Sequence, residues 1–268
     1  MRENRRGLNW TEYLLEGWAL GLFMLSACGF SVLLFHPASP VVRALPDELS
    51  RRVLMGVAMG GTAILNIYSP WGRRSGAQMN PAVTLTFFRM GRMPVRDAAG
   101  YIAGQFAGGL LGVAASAVPL ARWIGDPAVS YAVTVPGPWG IAAAWAGELA
   151  ISFALMLMVL TVASRPRFAP WTGVLAGLLV AVYIVLESPV SGMSMNPART
   201  LASALPAMRW TALWVYFTAP LAGMLLAVEL TRLLGERAER VCGKMHHDAA
   251  YRCLFCEHLR QARAPRGG

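Results

Sequence analysis

Charged residues are scarce in this chain of 268 residues: only 14% are Asp, Glu, Lys or Arg, whereas 56% are hydrophobic. A soluble domain carries about 25% charged residues. The shortage argues against an ordinary water-soluble protein and favours a chain surrounded by lipid.

Other absences narrow the class of protein further. The sequence has no phosphate-binding loop and no visible pairing of a nucleophile with a base, so we do not expect an enzyme. Four cysteines do not form a disulfide scaffold, because Cys28 stands alone in an apolar run and the other three lie near the C-terminus. The basic segment Met1–Asn9 precedes an apolar run that is too long for a signal peptide and lacks a small-residue cleavage site.

Six apolar stretches approach the length of about 20 residues that a helix needs to cross a bilayer. They predict an all-α integral membrane protein. The predicted spans are Trp10–Phe35, Val53–Tyr68, Ala98–Val118, Gly140–Ala163, Trp171–Leu186 and Trp210–Leu234.

Two further apolar segments, Pro81–Arg89 and Pro197–Leu205, are too short to cross. Each begins with Asn-Pro-Ala, and Asn is a favoured helix N-cap while Pro suits the first helical turn. The sequence therefore predicts two half-length helices that start at these motifs.

Basic residues are distributed unevenly between the two sides of the predicted membrane domain. Eighteen of the 24 Lys and Arg residues fall on the side that holds both termini. Such an excess marks the cytoplasmic side, so we expect both termini there, in a plasma (inner) membrane. The same distribution explains the net charge of +10 without nucleic acid, and the expected surroundings are membrane lipid.

An internal repeat relates the two halves of the chain. Residues 75–84 read SGAQMNPAVT and residues 191–200 read SGMSMNPART, identical at seven of ten positions and 116 residues apart. Each half also carries a carboxylate in its first span, Glu16 or Glu148. Three spans per half reverse the direction of the second half, and inverted repeats with broken helices commonly build a substrate path.

These motifs resemble those of the major intrinsic protein family, the aquaporins and glycerol facilitators, over residues 10–234. The resemblance implies six membrane helices and two half-helices in an inverted repeat, assembled as a homotetramer with one pore per subunit. The repeat halves are about 10–118 and 140–234, between a cytoplasmic N-terminus (1–9) and a cytoplasmic tail (235–268). The first motif departs from the family at Gln78, where His is usual.

The two motifs would meet at the pore centre, as Asn80-Pro81-Ala82 and Asn196-Pro197-Ala198. Two helix N-termini that point at one another carry positive partial charges and would repel cations. Each Asn can cap its own helix and still offer a side-chain N–H to the lumen. We expect Glu16 and Glu148 to be buried behind the pore as structural acceptors for the loop backbone, with Gln105 in the same network; direct pore lining is the alternative.

The resemblance also implies a selectivity constriction with Arg199 as its charged member. The other positions are Ile184, Met193 and either Met59 or Gly60, between which the sequence does not choose. This ring lacks the His that is usual in water-selective members and would be more apolar.

The expected function is a passive water channel that excludes ions and protons. The residues Thr200, Ala204, Tyr216 and Phe217 favour water, because glycerol-type members usually differ there. The alternatives are a facilitator of glycerol or another small neutral solute and, more remotely, a non-conducting structural or sensory protein with a metal-binding tail.

The tail contains a cluster of residues that favour soft metals. Cys242, His246 or the adjacent His247, Cys253 and Cys256 have a spacing that suits tetrahedral Zn²⁺. The alternatives are a disordered basic tail with reduced thiols and a redox-active pair at Cys253 and Cys256. Transport itself would require no cofactor.

Overall fold

The computed structural model describes residues 7–235 and 241–263. Residues 1–6 of the predicted N-terminal segment (1–9) and residues 236–240 and 264–268 of the predicted tail (235–268) lie outside the described residues. The described residues form helices and no strand. In chain order the helices are α1 Trp10–Phe35, α2 Pro40–Ala44, α3 Glu48–Tyr68, α4 Pro70–Ser75, α5 Pro81–Arg89, α6 Val95–Leu120, α7 Gly140–Ala163, α8 Thr172–Leu186, α9 Ser188–Ser191, α10 Pro197–Ala207, α11 Leu213–Leu233 and α12 Leu254–Arg263, with 3₁₀ turns at Ser130–Ala132 and Ala169–Trp171.

The six long helices correspond to the six predicted spans. Among the described residues, five helices are long and apolar enough to cross a membrane, namely α1, α6, α7, α8 with the turn before it, and α11. The sixth predicted span is α3, which is 21 residues long but opens with the polar residues Glu48, Arg51 and Arg52. Because α3 packs along α8 and α1, it completes the bundle despite its lower hydropathy.

Helix pairing follows the inverted repeat. The most extensive contacts within the halves are α1 with α6 and α7 with α11, and α3 packs against α8 to join the halves. The half-helices cross between them, since α5 also packs on α11 and α10 on α6. This arrangement brings the N-termini of α5 and α10 together inside the bundle.

Glycines allow the backbones of α1 and α6 to touch. A side chain added at Gly108 would lie 1.9 Å from the carbonyl oxygen of Gly17, and one added at Gly17 would lie 2.5 Å from that of Gly104. Small residues are a common means of close packing between membrane helices. These glycines of the third predicted span therefore serve packing within one chain.

Four of the six long helices start at other residues than predicted, among them α6, which starts at Val95 and not at Ala98, and α8, which starts one residue later than predicted. The structure explains the other two. Helix α3 starts at Glu48 and not at Val53, because the Asp47 side chain caps it by accepting a hydrogen bond from the Ser50 N–H at 2.7 Å. Helix α11 starts at Leu213 and not at Trp210, because Ala212 before it has a left-handed backbone (φ 49°). Hydropathy does not report either feature.

Candidate transport site

The loops before the two half-helices have equivalent, strained backbones. Ala77 and Met79 in the first loop have φ of 49° and 52°, and Met193 and Met195 in the second have 53° and 54°. Each pair is 116 residues from its counterpart. Left-handed conformations are costly for residues other than Gly, so the surroundings must hold these loops in place.

A buried carboxylate holds each loop. Glu16 accepts hydrogen bonds from the backbone N–H of Gln78 (3.1 Å) and Met79 (2.7 Å) and from the Ser75 hydroxyl (2.7 Å). Gln105 donates to the same carboxylate at 3.0 Å. The side chain of Glu16 is fully buried and has no place in the lumen.

Glu148 occupies the equivalent place in the second half. It accepts from the backbone N–H of Ser194 and of Met195, both at 2.7 Å, and from the Ser191 hydroxyl at 2.8 Å. Two carboxylates thus anchor two loops in the same way.

Two tyrosines, Tyr101 and Tyr216, complete the anchoring. The Tyr101 hydroxyl donates to the Ser75 carbonyl at 2.6 Å, and the Tyr216 hydroxyl donates to the Ser191 carbonyl at 2.5 Å. Both side chains are fully buried. Tyr101 was not among the predicted site residues, and Tyr216 was predicted only as a subfamily marker. Their equivalent positions in the two halves were the available signal.

Asn80 and Asn196 join the two halves at the centre. Each caps its own helix, since Asn80 accepts from the Ala82 N–H at 2.9 Å and Asn196 from the Ala198 N–H at 3.0 Å. Each side-chain nitrogen also donates across the centre, Asn80 to the Met195 carbonyl and Asn196 to the Met79 carbonyl, both at 2.6 Å. One N–H of each amide is left for the lumen.

Arg199 lies in the first turn of α10 and lines an internal cavity that Asn80 and Asn196 also line. Its guanidinium donates to the Ala132 carbonyl at 2.8 Å. Ala132 belongs to a short segment in which Ser130, Tyr131 and Ala132 all have positive φ, so the loop between the halves positions an acceptor for this cation. No sequence pattern predicted that acceptor.

One cavity of about 450 Å³ runs past both asparagines and Arg199. Ile184, Met193 and Met59 line it, whereas Gly60 lies against α8, where a side chain added to it would be 2.5 Å from the Gly177 carbonyl oxygen. Four of the five predicted constriction residues therefore face one lumen. Methionines line much of the wall, namely Met55, Met59, Met79, Met193, Met195 and Met245.

The tail lies at one end of this cavity, which we call the tail-side mouth and define by Gln78 and Met245. The ligand atoms of Cys242, His247, Cys253 and Cys256 lie within 4.8 Å of one another. The predicted ligand His246 is not in this group, because its ring packs on Tyr68 with 4.7 Å between centroids, and His247 takes its place.

The thiols of the tail cluster differ in acidity. Hydrogen bonding from the Cys242 thiol lowers the pKa of Cys253 and of Cys256, and the same bonds raise the pKa of Cys242. A lowered pKa favours the thiolate, which is the form that binds metals.

An inverted repeat, two opposed half-helices and a cavity lined by residues of both halves define a membrane channel. Residues 3–230 match the family model for the major intrinsic proteins. The chain belongs to this family, whose members are channels and not enzymes, so the predicted fold and family are confirmed.

Curated relatives include plant proteins of the same family. The chain is 32% identical to Aquaporin NIP6-1 of Arabidopsis thaliana over 74% of its own length and 63% of that protein's. It is 36% identical to Aquaporin NIP1-4 of Oryza sativa subsp. japonica over 69% of its length and 67% of that protein's. The matches thus span about two thirds of these relatives.

A solved structure supports the fold. The aquaglyceroporin of Plasmodium falciparum superposes with a TM-score of 0.66 over 82% of this chain and 94% of that one, at 17% identity.

Proposed function

We propose that the protein is a passive channel for small uncharged solutes of about the size of glycerol, and for water. The observation that carries the proposal is the composition of the constriction. Arg199 is its one charged donor, and Met59, Ile184 and Met193 supply apolar walls on the same lumen.

The chemistry of this ring suits a solute with both polar and apolar surface. The guanidinium of Arg199 donates hydrogen bonds to a hydroxyl oxygen, while Ile184 and Met193 contact carbon. A His at the position of Ile184 would add a second donor, as is usual in water-selective members of the family. A constriction without this His is expected to admit a wider range of solutes.

Ion exclusion follows from the centre of the lumen. The N-termini of α5 and α10 direct their positive dipole ends at the permeating molecule. Arg199 adds a full positive charge, so cations are repelled both at the centre of the lumen and at the constriction. The free N–H of Asn80 and of Asn196 binds the oxygen of a water molecule and turns its hydrogens away, which interrupts a proton-conducting chain.

A channel restricted to water is the second candidate. It is favoured by Thr200, which bonds to the Thr134 hydroxyl at 3.0 Å where glycerol-type members usually have Asp. It is also favoured by the methionines of the wall, whose flexible side chains can narrow the lumen.

The test is stopped-flow light scattering on proteoliposomes, with a sucrose shock for water and a glycerol gradient for solute. Wild-type protein is expected to pass both, and Ile184→Trp is expected to lower glycerol flux at least tenfold because the indole fills the lumen. The matched control is Leu178→Trp on the same helix, whose side chain is 53% exposed on the outer surface of the bundle.

Each outcome selects one function. Water flux without glycerol flux would establish the water channel. Flux of neither solute, with a Zn²⁺ chelator present or absent, would contradict the channel proposal.

We further propose the oligomeric state, membrane and orientation of the channel. The protein forms a homotetramer in the plasma (inner) membrane, with both termini in the cytoplasm. Glu12 at the start of α1 lies 3.8 Å from Arg252 of the tail, so the two described ends share one face. The tail cluster is proposed as a Zn²⁺ site, and this family requires no cofactor for transport.

A further inference from the structure

The tail is packed against the tail-side mouth. Phe255 is fully buried, and its ring meets that of Tyr101 edge-on with 6.0 Å between centroids. A side chain added at Gly243 would lie 2.8 Å from the Phe255 ring, and one added at Gly76 would lie 3.1 Å from Lys244. The tail therefore fits closely against the loop that precedes α5.

Hydrogen bonds fix the segment 242–247 to that loop. The Met245 N–H donates to the Gly76 carbonyl at 3.0 Å, and the Gln78 side chain donates to the Gly243 carbonyl at 2.9 Å. The ammonium group of Lys244 donates to the Arg73 carbonyl. Gln78 is the position at which the first motif departs from the family, so this departure coincides with a contact to the tail.

Met245 is the tip of this segment and enters the channel. Its side chain is only 6% exposed, and it lines the same cavity as Asn80 and Arg199. A thioether at this place lies in the path of any solute that uses the tail-side mouth.

The start of α12 is anchored by apolar contacts, since Leu254 and Phe255 belong to a buried cluster with Tyr13 and Tyr101. The ion pairs that join the tail to the membrane domain are weaker. Arg73 pairs with Asp248 at 3.2 Å, and Arg252 pairs with Glu12 at 3.8 Å. The arginine of each pair is partly exposed, so solvent screening weakens the attraction. A segment as short as 241–263 cannot build a core of its own, and such segments usually depend on disulfides or metals.

The four potential ligands enclose the segment that carries Met245. Cys242 and His247 lie at its two ends, and Cys253 and Cys256 follow at the start of α12. The Cys256 sulfur lies 3.4 Å from Nε2 of His247. Three sulfurs and one imidazole within 4.8 Å match the donor set and the spacing of tetrahedral Zn²⁺, whose Zn–S bonds are about 2.3 Å.

We propose that one Zn²⁺ bound by Cys242, His247, Cys253 and Cys256 holds residues 243–246 as a plug in the tail-side mouth of the channel. The metal-loaded protein conducts at a low rate, and loss of the metal releases Met245 and raises the flux through the lumen. This inference rests on the proposed channel function and adds its regulation.

The first test measures metal on the purified full-length protein. One Zn²⁺ per chain is expected by elemental analysis, and Co²⁺ in its place should give thiolate charge-transfer absorption. The double variant Cys253→Ser/Cys256→Ser should lose both signals. Cys28→Ser is the matched control, because Cys28 is buried in α1 outside the cluster and should leave both signals unchanged. Absence of metal from the wild type, or full retention by the double variant, would overturn the proposal.

The second test measures solute flux in proteoliposomes. A high-affinity Zn²⁺ chelator is expected to raise wild-type flux at least fivefold, and Met245→Ala should give the raised flux with the metal still bound. Met208→Ala is the control, since that methionine is 71% exposed and lies outside the cavity.

The outcomes separate the two proposals. Equal flux in the loaded, chelated and Met245→Ala proteins would overturn the plug and leave the channel intact. No flux in any of them would contradict the channel itself.

Discussion

At the scale of single residues, the two buried carboxylates stabilise the strained loops before the half-helices. Glu148 accepts two backbone N–H groups and one hydroxyl, and it does so with both oxygens. Hydrogen bonds to a charged acceptor contribute about 1.5–3 kcal/mol each, more than neutral ones. The loop geometry of the pore centre therefore depends on an anion that the permeating solute never touches.

Glu148→Gln should test this dependence. The amide keeps one acceptor oxygen but turns an NH₂ group toward a donating backbone N–H, so we expect the free energy of unfolding to fall by about 2–3 kcal/mol. Solute flux should fall with it. Thermal unfolding of the purified protein and stopped-flow flux are the measurements.

Glu229→Gln is the matched control for this substitution. Glu229 is half-exposed at the end of α11 and pairs with Arg232 at 2.8 Å, a type of contact that contributes about 0–1 kcal/mol. A loss of stability in Glu148→Gln no larger than in this control would show that the buried carboxylate is not an essential anionic acceptor.

The constriction gives a second prediction for one residue. Ile184→His would place an imidazole on the lumen that Arg199 faces. It would add a hydrogen-bond donor for water and remove the apolar wall that the carbon atoms of glycerol would contact. We expect glycerol flux to fall at least tenfold while water flux changes less than threefold, measured by stopped flow. Ile184→Leu should pass glycerol as the wild type does; unchanged selectivity in the His variant would mean that this position does not select.

Repetition of Asn-Pro-Ala made Asn80 and Asn196 recognisable from the sequence, because two copies of a motif are improbable by chance. Arg199 is not repeated and was predicted from the resemblance to the family. The choice between Met59 and Gly60 could not be made, since it depends on the rotation of α3 against α8. The role of the Ala132 carbonyl could not be predicted either, because a residue of any type can supply a backbone acceptor.

At the scale of helices, length and apolar content predicted the elements but not all their ends. Helices α1, α5 and α7 have the predicted bounds. Helix α3 extends past its apolar part because Asp47 caps a polar first turn. Hydropathy measures the lipid-crossing part of a helix, whereas capping and backbone conformation decide where the helix begins.

The contact between α1 and α6 supports a prediction at this scale. Gly108→Ala should force the two backbones apart, because its side chain would lie 1.9 Å from the Gly17 carbonyl oxygen. Overpacking of this kind costs about 1–3 kcal/mol. We expect a lower unfolding temperature of the purified protein.

Gly29→Ala on α1 is the control for this substitution, since no atom lies within 4 Å of the added side chain. Ala favours a helix over Gly, so stability should stay the same or rise slightly. Equal effects of the two substitutions would mean that the helices have room to separate at no cost.

At the scale of the whole molecule, the sequence carried the membrane class and the inverted repeat but not the position of the tail. Hydropathy and repetition are visible along the chain. The docking of residues 241–263 depends on contacts with Gly76, Gln78 and Tyr101, which are more than 100 residues away. Spacing alone located the metal-binding residues and could not separate His246 from His247.

Orientation in the membrane is the last prediction, and it belongs to the whole molecule. Trp139 and Phe168 flank opposite ends of α7 and are 64% and 50% exposed. In a chain whose native cysteines are replaced by serine, a membrane-impermeant maleimide added to intact cells should label Trp139→Cys and leave Phe168→Cys unlabelled until the cells are lysed. The basic excess on the side of the termini requires this result, because the cytoplasmic side retains positive loops. The reverse pattern would turn the tail and its plug to the outside and remove them from cytoplasmic Zn²⁺.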